Sequence, residues 1–332
     1  MVEWHFQTIL VNLLLTFIQF IKTKNMKNFS LSILFISTLT FMFSQKENLE
    51  FNLTKGHVYN QNMNCNMTIS QKVKDQNIDI DMSIKGNITY KVTDIKNENF
   101  NIDVQYNSLS MTMNMPSGPV EFSSTKKGDD DMMSNVFKAL TKKPFVIIMS
   151  KAGKVIEVKN IDKAFDEILD SFSQLNRQQK KQIKDQLAQS FGEKSFKNNL
   201  EMSTAIFPGK PVSKGEKWVI NSKLESGMSA DIETTYELVE VNESSYVITG
   251  VSLIKSISNN EYQMSSNGME MKYDLKGDMT SRIKIHKNSG WTIESTIEQN
   301  IEGSTFIKPS EQIPDGMEIP MKMTNEMTLS EN

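Results

Sequence analysis

Between His57 and Val73 the apolar side chains fall on odd positions, at Tyr59, Met63, Cys65, Met67, Ile69 and Val73, with polar residues between them. A period of two sustained this long fits an extended strand with one buried face and one wet face. After the polar residues 74–77 the phase moves to even positions, through Ile78, Ile80, Met82, Ile84, Ile88, Tyr90 and Val92, interrupted by Gly86. The two runs form a long hairpin. A third run carries Phe100, Ile102, Val104 and Tyr106, then shifts to Leu109, Met111, Met113 and Met115. That one-residue change of phase predicts a bulge near Asn107 and Ser108. One apolar and one polar face is the mark of antiparallel pairing through short connections, so the region reads as a meander. Strands well beyond the usual five or six residues must twist and curl, which leaves a concave apolar face that something has to cover.

The middle of the chain supplies covers. Ala164, Phe165, Ile168, Leu169 and Phe172 recur as one helical stripe, with Asn160 or Asp162 available as its cap. A second helix is predicted over residues 177–191, with Asn176 and Gln179 spaced as a capping box and Gly192 as its stop. A shorter helix is expected over 133–140. Between these, PFVIIMSKAGKVIEVKN reads as a hairpin turning at Ala152-Gly153. The last third returns to alternation: Met269, Met271, Tyr273, Leu275, Met279, Ile283 and Ile285; then Trp291, Ile293, Ile297 and Ile301; then Met317, Ile319, Met321, Met323, Met327 and Leu329.

Three segments of the first half recur in the same order in the second. TYKVTDIKNENFNI from Thr89 matches TYELVEVNESSYVI from Thr235; Lys55-Gly56-His57-Val58-Tyr59 resembles Lys214-Gly215-Glu216-Lys217-Trp218; and Lys151 to Glu157 resembles Lys287 to Glu294 with one residue inserted. Repeated order of this kind points to duplication.

Two apolar runs lie upstream, at 9–21 and 31–43, each shorter than the roughly 20 residues that span a bilayer. The second follows Lys27 and ends at Ser44, the pattern of a secretory signal starting at Met26 and yielding a mature chain from near Gln45. Residues 1–25 are then an upstream extension. The competing arrangement is a two-helix membrane anchor. A net charge of −3 with interspersed lysines and acids offers no footprint for nucleic acid. The single cysteine, Cys65, excludes an internal disulfide framework, while 38% hydrophobic residues suffice for a packed core.

Chemistry is sparse. Gly209 and Gly215 in FPGKPVSKGEKW have five residues between them, Glu216 follows, and a strand comes next, so the stretch is not a phosphate loop. Three histidines, His5, His57 and His286, leave little for a triad or a multi-histidine metal site. Glu294, Glu298 and Glu302 share a strand face opposite Trp291 and read as solvated. Asp129-Asp130-Asp131 lacks an EF-hand pattern and marks a helix start. No motif points to an enzyme. The 22 methionines are the stronger bias. Met63, Cys65 and Met67 on one strand face, with His57, form a candidate soft-metal set suited to Cu(I). The same positions are also the core side of the strand, where methionine fills irregular space. Tyr59, Met63, Met67, Met111, Met113, Met321 and Met323 are the candidate lining of an adaptable apolar binding surface.

The pattern F-P-x-K-P-V-x-x-G-x-x-W in residues 207–218, with the early strand LEFNLTKGHVYNQNM and the SKAGKVIEVKN hairpin, resembles a family of secreted bacterial proteins of unknown function over about residues 49–329. The resemblance implies export and a β-rich fold and brings no catalytic residues. The expected architecture is also similar to that of periplasmic lipoprotein carriers with open half-barrels, a likeness of fold alone.

These observations predict a β-dominated α+β fold with two related, curled, half-barrel-like antiparallel meanders joined by a helical segment. The expected organisation is 1–25 extension, 26–44 signal peptide, 45–128 first meander, 129–200 helical segment with a hairpin, and 201–332 second meander. The expected role is that of an exported protein, periplasmic, outer-envelope associated or extracellular, which binds an apolar small molecule, a lipid or an envelope protein without catalysis. A structural module with a plugged core and a copper-binding protein are the alternatives. No cofactor, no nucleic acid and no membrane integration after signal cleavage are expected.

Overall fold

The computed structural model describes residues 46–332 apart from 74–75, 117, 127–130, 171, 174, 226–228, 258–261, 265–268 and 312. The extension and signal peptide expected from the sequence lie outside the described residues, as do Asp129 and Asp130. Thirteen strands follow one another as β1 (Val58–Val73), β2 (Gln76–Lys96), β3 (Asn99–Met115), β4 (Gly118–Ser123), β5 (Phe145–Ser150), β6 (Val155–Lys159), β7 (Lys217–Glu225), β8 (Ser229–Val241), β9 (Ser245–Ser256), β10 (Gln263–Met264), β11 (Glu270–His286), β12 (Thr292–Ile307) and β13 (Met317–Glu331). Among the described residues four helices lie between β4 and β7: α1 (Met132–Leu140), α2 (Ile161–Asp170), α3 (Arg177–Phe191) and α4 (Glu193–Thr204).

All strands belong to one antiparallel sheet, in the order β6-β5-β3-β2-β1-β13-β12-β11-β9-β8-β7, with β4 beside β3 and β10 beside β11. The expected meanders are therefore not separate sheets. They join edge to edge through β13, which pairs with β1 on one side and β12 on the other. The helices cover the sheet and do not bridge two of them.

The two halves are related in detail. Gly56 N–H donates to the Val92 carbonyl and Gly215 N–H to that of Leu238, each at 2.7 Å, and the two glycines have φ of 86° and 83°. The β2–β3 ladder slips between Val92 and Asp94, and the β8–β9 ladder slips at the matching place, between Leu238 and Glu240. The β5–β6 turn carries Gly153 at φ 79°, and the β11–β12 turn carries Gly290 at φ 69°. Both turns hold the segment that precedes β1: Phe51 N–H donates to Lys151 O and Asn52 N–H to Ser289 O. Strands β1-β2-β3-β5-β6 thus correspond to β7-β8-β9-β11-β12, running across the sheet in the same order and direction. The tandem pattern read from the sequence is present in the fold, with β13 filling the seam.

Local signals explain the elements. The bulge expected near Asn107 is there, since Asn87 pairs with Ser108 while Ile88 pairs with Tyr106. Asn176 and Gln179 form the expected capping box, and Gly192 ends α3 and opens α4. Asp131 caps α1, its side chain accepting the Ser134 N–H at 2.6 Å. Asp162 does something not anticipated: its Oδ1 accepts the Glu193 N–H at the start of α4. Helix α4 was itself not foreseen as an element; the helical segment continues to Thr204, beyond the expected boundary at 200.

Two buried clusters line the inner face. The larger unites the helices with β1–β6 and one end of β7, β8, β9 and β11, and contains Phe51, Tyr59, Tyr90, Phe137, Phe165, Trp218, Leu238 and Trp291. The smaller holds Ala230, Ile232, Ile254, Leu275, Met279, Ile297, Ile301 and Met323, with Met67, Met202, Met321 and Met327 packed against it. The opposite face is largely polar, with Val219, Val251 and Leu253 exposed on β7 and β9. Asn60, Asn62 and Asn66 on β1 accept hydrogen bonds from Thr89, Asn87 and Ser83 on β2.

A cavity beneath helix α4

Helix α4 roofs a cavity of about 110 Å³ bounded below by β1, β2, β3, β5, the start of β12 and the end of β13. Met63, Ile88, Ile102, Met149, Met327 and Leu329 come from the strands, and Phe196 and Leu200 from the helix. The roof is fixed at its far end. Glu201 accepts the Val155 N–H at 2.8 Å, and Thr204 Oγ1 donates to Gly153 O at 2.7 Å. Phe196 meets Phe145 edge to face, with ring centroids 4.6 Å apart. The exposed Asn199 also lines the cavity and marks its approach to solvent.

The deep end is formed by Gln61, Thr292, Thr204 and Trp291, all buried. Gln61 Nε2 donates to Thr292 O at 3.3 Å, and the Thr204 hydroxyl is bonded as above. The Trp291 ring is clamped, stacked on Tyr59 at 4.3 Å and edge-on to Tyr90 at 5.1 Å. Its indole Nε1 is buried with no hydrogen-bond partner among the described residues. Trp218 differs: its Nε1 donates to Ile206 O at 2.9 Å. Among the described residues no Asp, Glu, Lys, Arg or His lines the cavity. Burial pushes the Tyr106 hydroxyl up to about 12 and raises that of Tyr90 as well, so both lining tyrosines stay neutral at ordinary pH.

The residues singled out in the sequence are dispersed over the inner face. Met63 lines the cavity, and Tyr59 lies behind it, under Trp291. Met111 belongs to the larger cluster and Met113 packs on it, whereas Met323 is in the smaller cluster with Met67 and Met321 against it. The proposed copper set does not close. At about 3.3 Å per residue, His57 stands roughly 20 Å along the strand from Met63, and Met63 and Met67 are themselves about 13 Å apart. His57 packs instead on the Tyr59 ring at 4.3 Å. The Cys65 thiol lies 3.1 Å from Asn325 Oδ1, and burial raises its pKa, which disfavours the thiolate a metal would need. Among the described residues no three His, Cys, Asp or Glu side chains are grouped to hold a metal ion. His286 Nε2 sits 2.7 Å from a Glu331 carboxylate oxygen, a surface pair with no hydroxyl or thiol bonded to the ring among the described residues. Glu294, Glu298 and Glu302 are exposed, and FPGKPVSKGEKW leads through two left-handed glycines, Gly209 and Gly215, into β7.

Sequence reasoning missed the roof. The Phe196/Leu200 pair at i, i+4 with Asn199 and Ser203 was its available signal, diluted in the polar run EKSFKNNLEMST.

Comparison with known proteins adds the family. Residues 97–292 match the family described as "Family of unknown function (DUF6263)". The chain belongs to this family. The matched DUF6263 region runs from the β2–β3 turn to the first residue of β12, and so includes all four helices and Trp291. No curated protein matches the chain. Among solved structures, one described as "Lipid-protein interactions in lipovitellin" aligns at 12% identity and a TM-score of 0.44, covering 85% of this chain and 25% of that one. The DUF6263 chain therefore spans a quarter of the lipovitellin chain. The COG4313 outer membrane channel from Pseudomonas putida F1 aligns at 6% identity and a TM-score of 0.24, covering 85% of this chain and 97% of that one. Salmonella typhi OmpF aligns at 9% identity and a TM-score of 0.22, covering 84% and 99%. Among the described residues no helix is long and apolar enough to cross a membrane, which says nothing of strands.

Proposed function

We propose that this protein is a non-enzymatic binding protein whose inner face seats one end of an apolar chain in the cavity beneath α4. The observation that carries this reading is the lining itself: methionine, isoleucine, leucine and phenylalanine side chains under a fixed helical roof, with an approach at Asn199. Its volume of about 110 Å³ holds three or four groups of water size, each near 30 Å³. Small-molecule sites usually begin near 300 Å³. The ligand is therefore one that leaves most of its length outside, such as a lipid chain end or an apolar side chain of a partner, and not a wholly engulfed lipid. Methionines at Met63, Met149 and Met327 suit such a site because their unbranched side chains adapt to the shape presented.

The second reading is a structural module whose helices plug the concavity, and the modest volume is the observation in its favour. The two separate under organic extraction of the full chain purified from its native source, followed by mass spectrometry. Binding predicts an apolar species that co-purifies with the wild type and is depleted in Leu200→Trp, which fills the cavity from the roof. Extracts that hold no apolar species in either form support the plug. We further propose that the chain is exported, as Lys27, the apolar run 31–43 and Ser44 suggest. N-terminal sequencing of the cellular protein is expected to start near Gln45; a start at Met1 would contradict export by that signal.

A further inference from the structure

Resting on that binding reading, we propose that the ligand carries a neutral carbonyl, as an ester or amide does, and that the Trp291 indole N–H is the donor that receives it. Buried donors in folded proteins are almost always bonded, and one left unpaired carries a desolvation penalty that a ligand acceptor would relieve. The Trp291 Nε1 is such a donor, on a ring that is 5% exposed and lines the cavity. The neighbouring donors at the deep end, Gln61 Nε2 and the Thr204 hydroxyl, are already committed to backbone carbonyls. Of the deep-end side chains, Trp291 is the one whose donor is buried with no hydrogen-bond partner among the described residues.

The charge of the lining decides between acceptors. A carboxylate brought into this cavity would lose its water and meet only neutral donors, with no cation among the described lining residues, an arrangement that penalises the ionised form. A pure hydrocarbon would fill the space and leave the N–H unpaired. An ester or amide carbonyl satisfies the donor at far smaller desolvation cost, while the attached carbons lie against Met63, Ile88 and Leu200 and lead toward Asn199. The tandem fold shows that the donor is specific to one half. His286 N–H donates to Trp291 O as Ser150 N–H donates to Lys154 O, so Trp291 occupies the turn position that the first half gives to the exposed Lys154.

Indole-selective 15N labelling of the full chain tests this. It gives three indole signals, from Trp4, Trp218 and Trp291, which Trp218→Phe and Trp291→Phe assign. Methyl hexanoate, hexanoate and hexane are titrated at neutral pH. The expected result is saturable binding of the ester with a downfield shift of the Trp291 signal and an unmoved Trp218 signal. The ester should bind about fivefold more tightly than hexane and at least tenfold more tightly than the hexanoate anion. Trp291→Phe, which keeps an aromatic ring, should abolish the preference of ester over hexane while hexane still binds. Ester and hexane binding equally, with no Trp291 shift, would overturn the carbonyl assignment and leave the apolar site standing. Hexanoate binding as tightly as the ester would overturn neutrality. Failure of all three to perturb signals of cavity residues would overturn the binding reading itself.

Discussion

The two halves of the sheet repeat the same strand order, the same left-handed glycines and the same slipped registers, yet they bury different things. The larger cluster lies under the helices and is rich in aromatic rings, among them Trp218, Tyr236, Tyr246 and Trp291 of the second half. The smaller cluster, built chiefly on the second half and β13, is aliphatic and methionine-based. A duplicated scaffold therefore tolerates unlike covers, because backbone pairing fixes the sheet while the side chains on its inner face decide what can pack there. The cavity sits where the halves meet, with Met63 and Met149 from one and Trp291 from the other.

The glycines give the strongest way to break this equivalence. At Gly153 and Gly290 a Cβ would collide with the carbonyl oxygens of Thr204 and Glu50, and both residues have positive φ. Gly153→Ala and Gly290→Ala should each destabilise the fold by about 3 kcal/mol or more in denaturant melts. At Gly56 and Gly215, also left-handed, nothing lies within 4 Å of the added atom. Alanine there should cost only the conformational penalty of about 1–2 kcal/mol. If either member of a pair behaves unlike its counterpart, the halves are not mechanically equivalent.

The tryptophans sharpen the comparison with a smaller effect. Trp218→Phe removes a buried donor and strands the Ile206 carbonyl, whereas Trp291→Phe removes a donor that has no partner. The first should cost about 1 kcal/mol more than the second in urea melts of the ligand-free protein. Equal losses would mean that the Trp291 N–H is already satisfied.

The smallest effect is electrostatic and mirrors the repeat. Asp94 is bonded to Lys55 and then Lys96, which holds its carboxyl at about 2, and at the matching position Glu240 is lowered chiefly by Arg282. A depressed folded pKa favours the folded state above the ordinary carboxylate range, and that contribution disappears as pH falls from near 4 toward 2. NMR titration of Lys55→Met should show the Asp94 midpoint moving up, with Lys96 retaining part of the depression. An unchanged midpoint would remove Lys55 from the account.

Much of the sheet was legible in the sequence because period two is a strong signal when one face is buried. The bulge at Asn107 in the β2–β3 ladder was readable from a phase change, and the tandem relation from TYKV and TYEL. The role of β13 was not legible. Its alternating methionines identify a strand, but pairing with β1, over 240 residues away in sequence, depends on closing the seam and leaves no local mark. The site was legible only in part. Met63 could be named from its inward phase, whereas α4 has a weak apolar stripe and Trp291 looked like the first residue of an ordinary apolar row. An unpaired indole is a property of three-dimensional surroundings, and no residue pattern announces it. The copper set fails on spacing: Met63, Cys65 and Met67 share β1 and His57 just precedes it, and an extended backbone spreads His57, Met63 and Met67 too far apart to close on one ion.

The central claim is that the seam cavity under α4, and no other apolar surface of the inner or outer face, takes the ligand. Crystals soaked with methyl 4-bromobutanoate would test it through the anomalous signal of bromine. The account predicts one dominant peak between Met63, Leu200 and Asn199, with the ester carbonyl within hydrogen-bonding distance of Trp291 Nε1. A dominant peak at the exposed Val219, Val251 and Leu253 patch or beside Met321 and Met323, or no peak in the cavity at all, would contradict it.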